Sequence, residues 1–207
     1  MSPRAYIIRP ARPSDVPAVV AMVHELAEYE RAPEQCHLTD AQLHAALFGE
    51  ACEPNMRHSG EACEPNMRHS GEACEPNIGP SPDTPALFGH VAVDADDEPF
   101  GFALWFLNFS TWEGVHGIYL EDLFVRPQAR GSGAGRALLA TLASICVERN
   151  YRRLDWWVLH WNPAREFYAS IGASAMDEWI PYRLEGDALR TLASSPDGPG
   201  SPPLEAA

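Results

Sequence analysis

The sequence contains no lysine: its 15 Lys plus Arg residues are all arginine, set against 29 Asp plus Glu, for a formal net charge of −14. A Walker phosphate loop, which ends in Gly-Lys-Ser/Thr, is thereby excluded. A nucleic-acid surface is not expected either, since neutralising a phosphate backbone takes clustered Lys and Arg. The acidic balance suits a small cationic molecule better, through its effect on association. No run of about eighteen apolar residues is present. Nor does an apolar signal core follow Met1-Ser-Pro-Arg4, so the expectation is a soluble, cytoplasmic protein with no membrane contact.

Close metal-ligand pairs are missing too. Cys52, Cys63 and Cys74 alternate with His58 and His69, but no Cys-x-x-Cys or His-x-x-x-His pair brings two of them onto one turn, and no metal is expected. The odd count of 5 Cys, with Cys36 and Cys146 outside this stretch, fits a reducing compartment better than a disulfide framework.

Those cysteines belong to a tandem repeat. Gly-Glu-Ala-Cys-Glu-Pro-Asn-Met-Arg-His-Ser begins at Gly49, recurs from Gly60, and starts again at Gly71 before stopping at Asn77. Pro54, Pro65 and Pro76 forbid a continuous helix, and the segment has too few apolar residues for a core of its own. Residues 49–85 therefore read as a disordered insertion made by duplication. Residues 194–207, mostly Ser, Pro, Gly and Ala, read as a disordered tail. At 207 residues and 45% hydrophobic, the chain can bury one core, so residues 1–193 are expected to form one domain around the insertion.

What is abundant lies between Ile118 and Asn150: a β-branched and aromatic run to Val125, Pro127, three glycines at Gly131, Gly133 and Gly135, then apolar residues at helical spacing. This is strand, turn and helix. Bare backbone at a helix start offers N–H groups and the positive dipole end to an anion, with Arg130 and Arg136 beside them. A diphosphate is the natural guest; a ligand-free glycine turn is the plainer reading. A dinucleotide fingerprint would need glycine where Arg136 stands, although Asp155 lies at the distance where a ribose-binding acid would be sought.

Other elements follow from pattern. Ala5–Arg9 reads as a strand, Ser14 as the cap of a helix through Ala27, and Thr39-Asp40 as the start of a short helix. Leu87–Val93, Phe100–Phe109 and Val115–Val125 read as successive strands, and Leu154–Trp161 and Trp179–Glu185 as two more. Asn162-Pro163 should open a helix that Gly172 closes. Glu25, Glu28 and Glu30 around Tyr29 can be a solvated helix face, or carboxylates beside an aromatic ring for an alkylammonium chain.

The segments Arg130-Gly-Ser-Gly-Ala-Gly135 and Tyr119-Leu-Glu-Asp-Leu-Phe-Val125 resemble the acyl-coenzyme A loop and preceding strand of the GNAT N-acetyltransferases, the diamine acetyltransferase branch in particular. Glu25-Leu-Ala-Glu-Tyr-Glu30, Trp161-Asn162 and Phe167-Tyr168 resemble further segments of that branch. The resemblance implies an α/β fold of α+β type: a mixed, mostly antiparallel sheet with a splayed strand and helices on both faces. It implies acetyl-CoA as co-substrate, no metal, a homodimer, and transfer of acetyl to a primary amine of a diamine, polyamine or thialysine-like substrate. Another amine acceptor, or a non-catalytic acyl-CoA-binding domain, stays open beside it.

Residue by residue, the resemblance implies that Arg130, Gly131, Ser132, Gly133, Ala134, Gly135 and Arg136 hold the diphosphate. Leu123, Phe124, Val125 and Asn162 would line the pantetheine arm. Tyr29, Glu30, Glu121, Asp122, Asp155, Trp156 and Trp157 would line the amine site. Glu121, alone or with Asp122, is the expected base for an amine whose ordinary pKa is about 10, and Tyr168 the expected acid. Strand alternation alone would turn Asp122 away from Glu121, to pair with an arginine. Trp156 and Trp157 can equally be packing residues.

Overall fold

A computed structural model of the chain describes residues 6–49 and 86–195. The insertion beyond Gly49 and the tail beyond Ser195, both read from the sequence as disordered, lie outside the described residues. The chain packs as two compact units, one through Trp157 and one from Val158.

The first unit is built on a five-stranded sheet in the order β1 (Ile7–Pro10), β2 (Phe88–Val93), β3 (Pro99–Ser110), β4 (Val115–Val125), β5 (Leu154–Asp155). The first four pair antiparallel and β5 lies parallel to β4. Simple alternation explains the layers. Val91, Val93, Phe102, Leu104 and Phe124 face helices α1 (Val16–Tyr29) and α2 (Asp40–Phe48), where they join Val16, Val19, Met22, Leu43 and Leu47 in one buried cluster. The other face is covered by α3 (Ala134–Glu148), which buries Leu138, Leu139 and Leu142. Helices thus lie on both faces, as the resemblance implies.

Helix ends match their sequence signals unevenly. Thr39 and Gln42 form a capping box at the start of α2. Ser14 does not cap α1. A 3-10 turn, Pro13–Asp15, intervenes, and the Asp15 carboxylate accepts instead from the Arg12 amide at 2.7 Å. At the other end of α1, Arg31 takes φ 64°, its amide donating to the Glu28 carbonyl and that of Ala32 to Ala27. This is a Schellman close, and it fixes Tyr29 and Glu30 in the last turn. Asn150, at φ 56°, closes α3 in the same way.

Two predicted strands are corrected. Leu154–Trp161 shrinks to Leu154–Asp155, because β5 pairs with β4 only at Ile118↔Leu154 and Tyr119↔Asp155 before the two diverge. No strand covers the outer edge of β4 from Leu120 to Val125 among the described residues. This is the splay the resemblance implies. Trp179–Glu185 forms no strand at all: Trp179, Ile180 and Tyr182 stand exposed, and no neighbouring strand supplies a ladder there among the described residues. The second unit carries two helices instead, α4 (Ala164–Ser170) and α5 (Gly186–Ala193).

Candidate active site

Gly131 and Gly133 adopt φ of 78° and 91°, a region that costs side-chain-bearing residues roughly 1–2 kcal/mol. Nothing lies within 4 Å of where a Gly131 Cβ would stand, whereas one on Gly133 would come within 3.2 Å of the Tyr6 hydroxyl. Gly135 meets only Val125 at 3.8 Å, so a small side chain would fit there. The Ala134 amide is taken by Ser132 Oγ at 3.3 Å, and the Ser132 amide by the Ala129 carbonyl. No hydrogen bond among the described residues takes up the amides of Gly131, Gly133, Gly135 or Arg136. Alternating bare amides at the positive end of a 15-residue helix fit a diphosphate, with Arg136 in the same first turn.

Arg130 takes a position no sequence rule gives. Its Nε donates to the Val125 carbonyl at 3.1 Å, and its guanidinium carbon lies 5.1 Å from the centre of the Tyr29 ring and 5.6 Å from that of Phe124. A residue assigned to the coenzyme and one assigned to the amine are therefore in contact, from elements about a hundred positions apart in the chain. Arg126 makes a second bridge between the same elements, donating to Glu25 at 3.0 Å.

The acidic residues converge through a bulge. Trp105 pairs with Leu120 but Leu104 pairs with Asp122, so Glu121 is an extra residue in β4. Asp122 consequently shares the helix-α1 face with Leu104, while Glu121 remains exposed. Burial, then the neighbouring charges of Glu121 and Glu30, push the Asp122 carboxyl up to about 6. Burial likewise raises Glu30. The alternative in which Asp122 turns away to an arginine is thus not met: its electrostatic neighbours are acids. Further along that face the Tyr119 ring lies 5.0 Å from Phe106 and, edge-on, 6.1 Å from Trp157. Phe106 and Tyr119 were not singled out from the sequence, and only the bulged register would have revealed which face they share with Asp122.

Asp155 is otherwise employed. Its Oδ2 accepts from Asn108 of β3 at 2.9 Å and from Arg153, which immediately precedes β5, at 2.9 Å. That engagement, with a sheet otherwise antiparallel, removes the dinucleotide alternative. Trp156 is half-buried and Trp157 exposed. Leu123 and Val125 are half-buried opposite Ala103 and Gly101, and the Phe124 ring faces the core, so these three residues offer a ligand the uncovered edge of their backbone.

In the second unit, Asn162 Oδ1 accepts from the Ala164 amide at 2.9 Å, the cap its motif foretold. Gly172, at φ 90°, closes α4: its amide donates to Ala169 and that of Ala173 to Tyr168. Tyr168 is half-buried next to Phe167, ring centres 5.3 Å apart.

Residues 61–173 match the model of the acetyltransferase (GNAT) family. The chain belongs to that family. This GNAT acetyltransferase is 31% identical over 191 residues to a thialysine N-epsilon-acetyltransferase of Sus scrofa, covering 90% of this chain and 96% of that protein. It is 31% identical over 202 residues to an L-ornithine N5-acetyltransferase of Arabidopsis thaliana, covering 89% and 86%. Among solved structures, an integron cassette protein from the mobile metagenome of V. cholerae superimposes with a TM-score of 0.63 at 28% identity, covering 92% of this chain and 98% of that one. The GNAT chain is accordingly an N-acetyltransferase acting on amines, and no helix among its described residues is long and apolar enough to cross a membrane.

Proposed function

We propose that this acetyltransferase moves acetyl from acetyl-CoA to a primary amine of a small dibasic substrate of the diamine, polyamine or thialysine class. The observation that carries this reading is the convergence of Glu121 and Glu30 on Asp122, with Glu30 following Tyr29 at the end of α1. Burial and the charges of Glu121 and Glu30 disfavour an ionised Asp122, a cost that a bound dication relieves. The names of the relatives, thialysine and ornithine acetyltransferases, are of the same substrate class. A cytoplasmic homodimer is proposed by family analogy alone.

The residues present fit acetyl-CoA, which when bound supplies an acetyl thioester. Amides of Gly131, Gly133, Gly135 and Arg136 would hold its diphosphate, with Ser132 and Ala134 shaping the turn. The uncovered edge of Leu123–Val125 would meet the pantetheine arm, and for Asn162 a contact with that arm rests on the resemblance alone. Backbone dipoles fixed in that edge stabilise negative charge developing on an acyl oxygen. Glu30 and Tyr29 would hold the far ammonium, with Trp156 and Trp157 toward the rim. Asp122 and Glu121 would draw the proton from the attacking amine, whose own pKa falls as it is desolvated. Tyr168 Oη would carry the proton for the departing sulfur.

A panel assay tests the reading. With acetyl-CoA, kcat/KM is expected to be highest for small dibasic amines. Turnover confined to an aminoglycoside or a lysine-bearing protein would replace the substrate class, and acetyl-CoA binding without turnover of any amine would favour the non-catalytic alternative.

The pH profile distinguishes the two carboxylates. Asp122 must be ionised to accept a proton, so kcat/KM should rise with pH through about 6. Asp122→Asn should abolish that limb. Because the Glu121 charge helps raise Asp122, Glu121→Gln should move the limb to lower pH as it weakens amine affinity. A Glu121→Gln limb displaced to higher pH would assign the base role to Glu121. The raised Asp122 also bears on stability. Its contribution is full below the unfolded value of 3.8 and is lost as pH rises through about 6.

A further inference from the structure

We infer that Arg130 is a positioning residue that couples the two substrates: its guanidinium occupies the Tyr29 ring where a cationic amine would dock, and yields it when a diphosphate binds at the glycine turn. The inference deepens the proposed function and rests on it. Three observations carry it. Arg130 immediately precedes Gly131, so its side chain starts at the rim of the bare amides. Its guanidinium nevertheless points elsewhere, lying over the Tyr29 and Phe124 rings at 5.1 and 5.6 Å with Nε held by the Val125 carbonyl. Tyr29 is the last residue of α1, next to Glu30, whose burial and charge belong to the acidic cluster around Asp122.

A guanidinium and an alkylammonium want the same thing from this place: the face of the Tyr29 ring. They also repel. While Arg130 rests on Tyr29, an incoming amine meets a competitor for the ring and an uncompensated positive charge. A diphosphate offers the guanidinium a stronger partner, because charge-assisted, bidentate hydrogen bonds exceed what one ring face supplies. Turning toward it, Arg130 leaves the ring and has its charge neutralised. Coenzyme binding then favours amine binding. Linkage requires the converse by the same factor: a bound diamine must raise affinity for the coenzyme equally.

The test measures binding without chemistry, using coenzyme A, which has no acetyl group to transfer, and 1,5-diaminopentane. By calorimetry the diamine is expected to bind the full chain about three- to tenfold more tightly when coenzyme A is saturating. Coenzyme A should gain the same factor from saturating diamine. Arg130→Met keeps an apolar stem without the charge. It should raise diamine affinity in the absence of coenzyme A to the wild-type saturated level and abolish further coupling, although coenzyme A itself binds more weakly. In the unaltered protein, the Arg130 Nε–H resonance should lose its ring-current shift on adding coenzyme A; a merely structural contact would leave it in place. Equal diamine affinity with and without coenzyme A, both ligands binding, would overturn the inference and leave the proposed function standing. Absence of binding by coenzyme A or by the diamine would sink the inference together with the site on which it rests.

Discussion

Tyr168→Phe is expected to lower turnover by roughly 10²–10⁴-fold while leaving affinity for acetyl-CoA nearly unchanged. The local structure holds the backbone and the ring in place. Tyr168 sits in the final turn of α4, where its carbonyl accepts from the amides of Ile171 and Ala173, so its backbone is fixed by bonds the side chain does not make. Phe keeps the ring that lies against Phe167. Only Oη, the atom assigned to protonate the departing sulfur, disappears. Steady-state kcat read beside a binding isotherm for acetyl-CoA checks the assignment, and comparable turnover in the two proteins would remove it.

The largest expected loss of stability lies far from the chemistry, at Asp15. Arg9 and Asp15 are both buried, and the guanidinium donates from Nη1 and Nη2 to the two carboxylate oxygens at 2.7 and 2.9 Å. Asp15→Ala takes two hydrogen bonds from a buried guanidinium and leaves it only the half-exposed Asp97 as counter-charge, a change that costs about 3 kcal/mol, readable as a lowered denaturation midpoint. Asp97, half-exposed and bonded to Arg9 and Arg12, should cost about 1 kcal/mol or less on the same substitution. The contrast separates burial from mere ion pairing, and near-equal losses would refute it. Burial alone would raise the Asp15 pKa, but hydrogen bonds from Arg9 and the Arg12 amide outweigh it and hold it low. The folded value lies below the unfolded one. The pair's contribution is therefore full above the ordinary carboxylate range and is lost as pH falls through the folded value.

Much of this arrangement can be read from residues, and the reasons the rest cannot are physical. Val115–Val125 matches β4 residue for residue, because turn residues bracket an unbroken run with high strand preference. Asn150 and Gly172 mark helix ends because both residue types tolerate left-handed backbone. Arg31 does the same work at the end of α1 but carries no such signal, since tertiary context imposes the conformation there. Trp179–Glu185 has strand-forming residues and no strand: local preference cannot supply a neighbour to pair with. The glycine turn was legible as an anion cradle, yet the path of Arg130 from it to Tyr29 was not, because a long side chain's direction depends on what it meets. The partners of Asp155 are hidden for a related reason. Spacing places an acid in a segment but says nothing about whether Asn108 and Arg153 have already claimed it.

Glu121 has a peculiar standing in the sheet. Since Leu120 already pairs with Trp105 and Asp122 with Leu104, adjacent positions of β3, excising the one codon between them would leave an ordinary ladder with every other partner unchanged. The scaffold has no need of that residue. A carboxylate that architecture would never miss stands at the one place where the two halves of β4 are out of step.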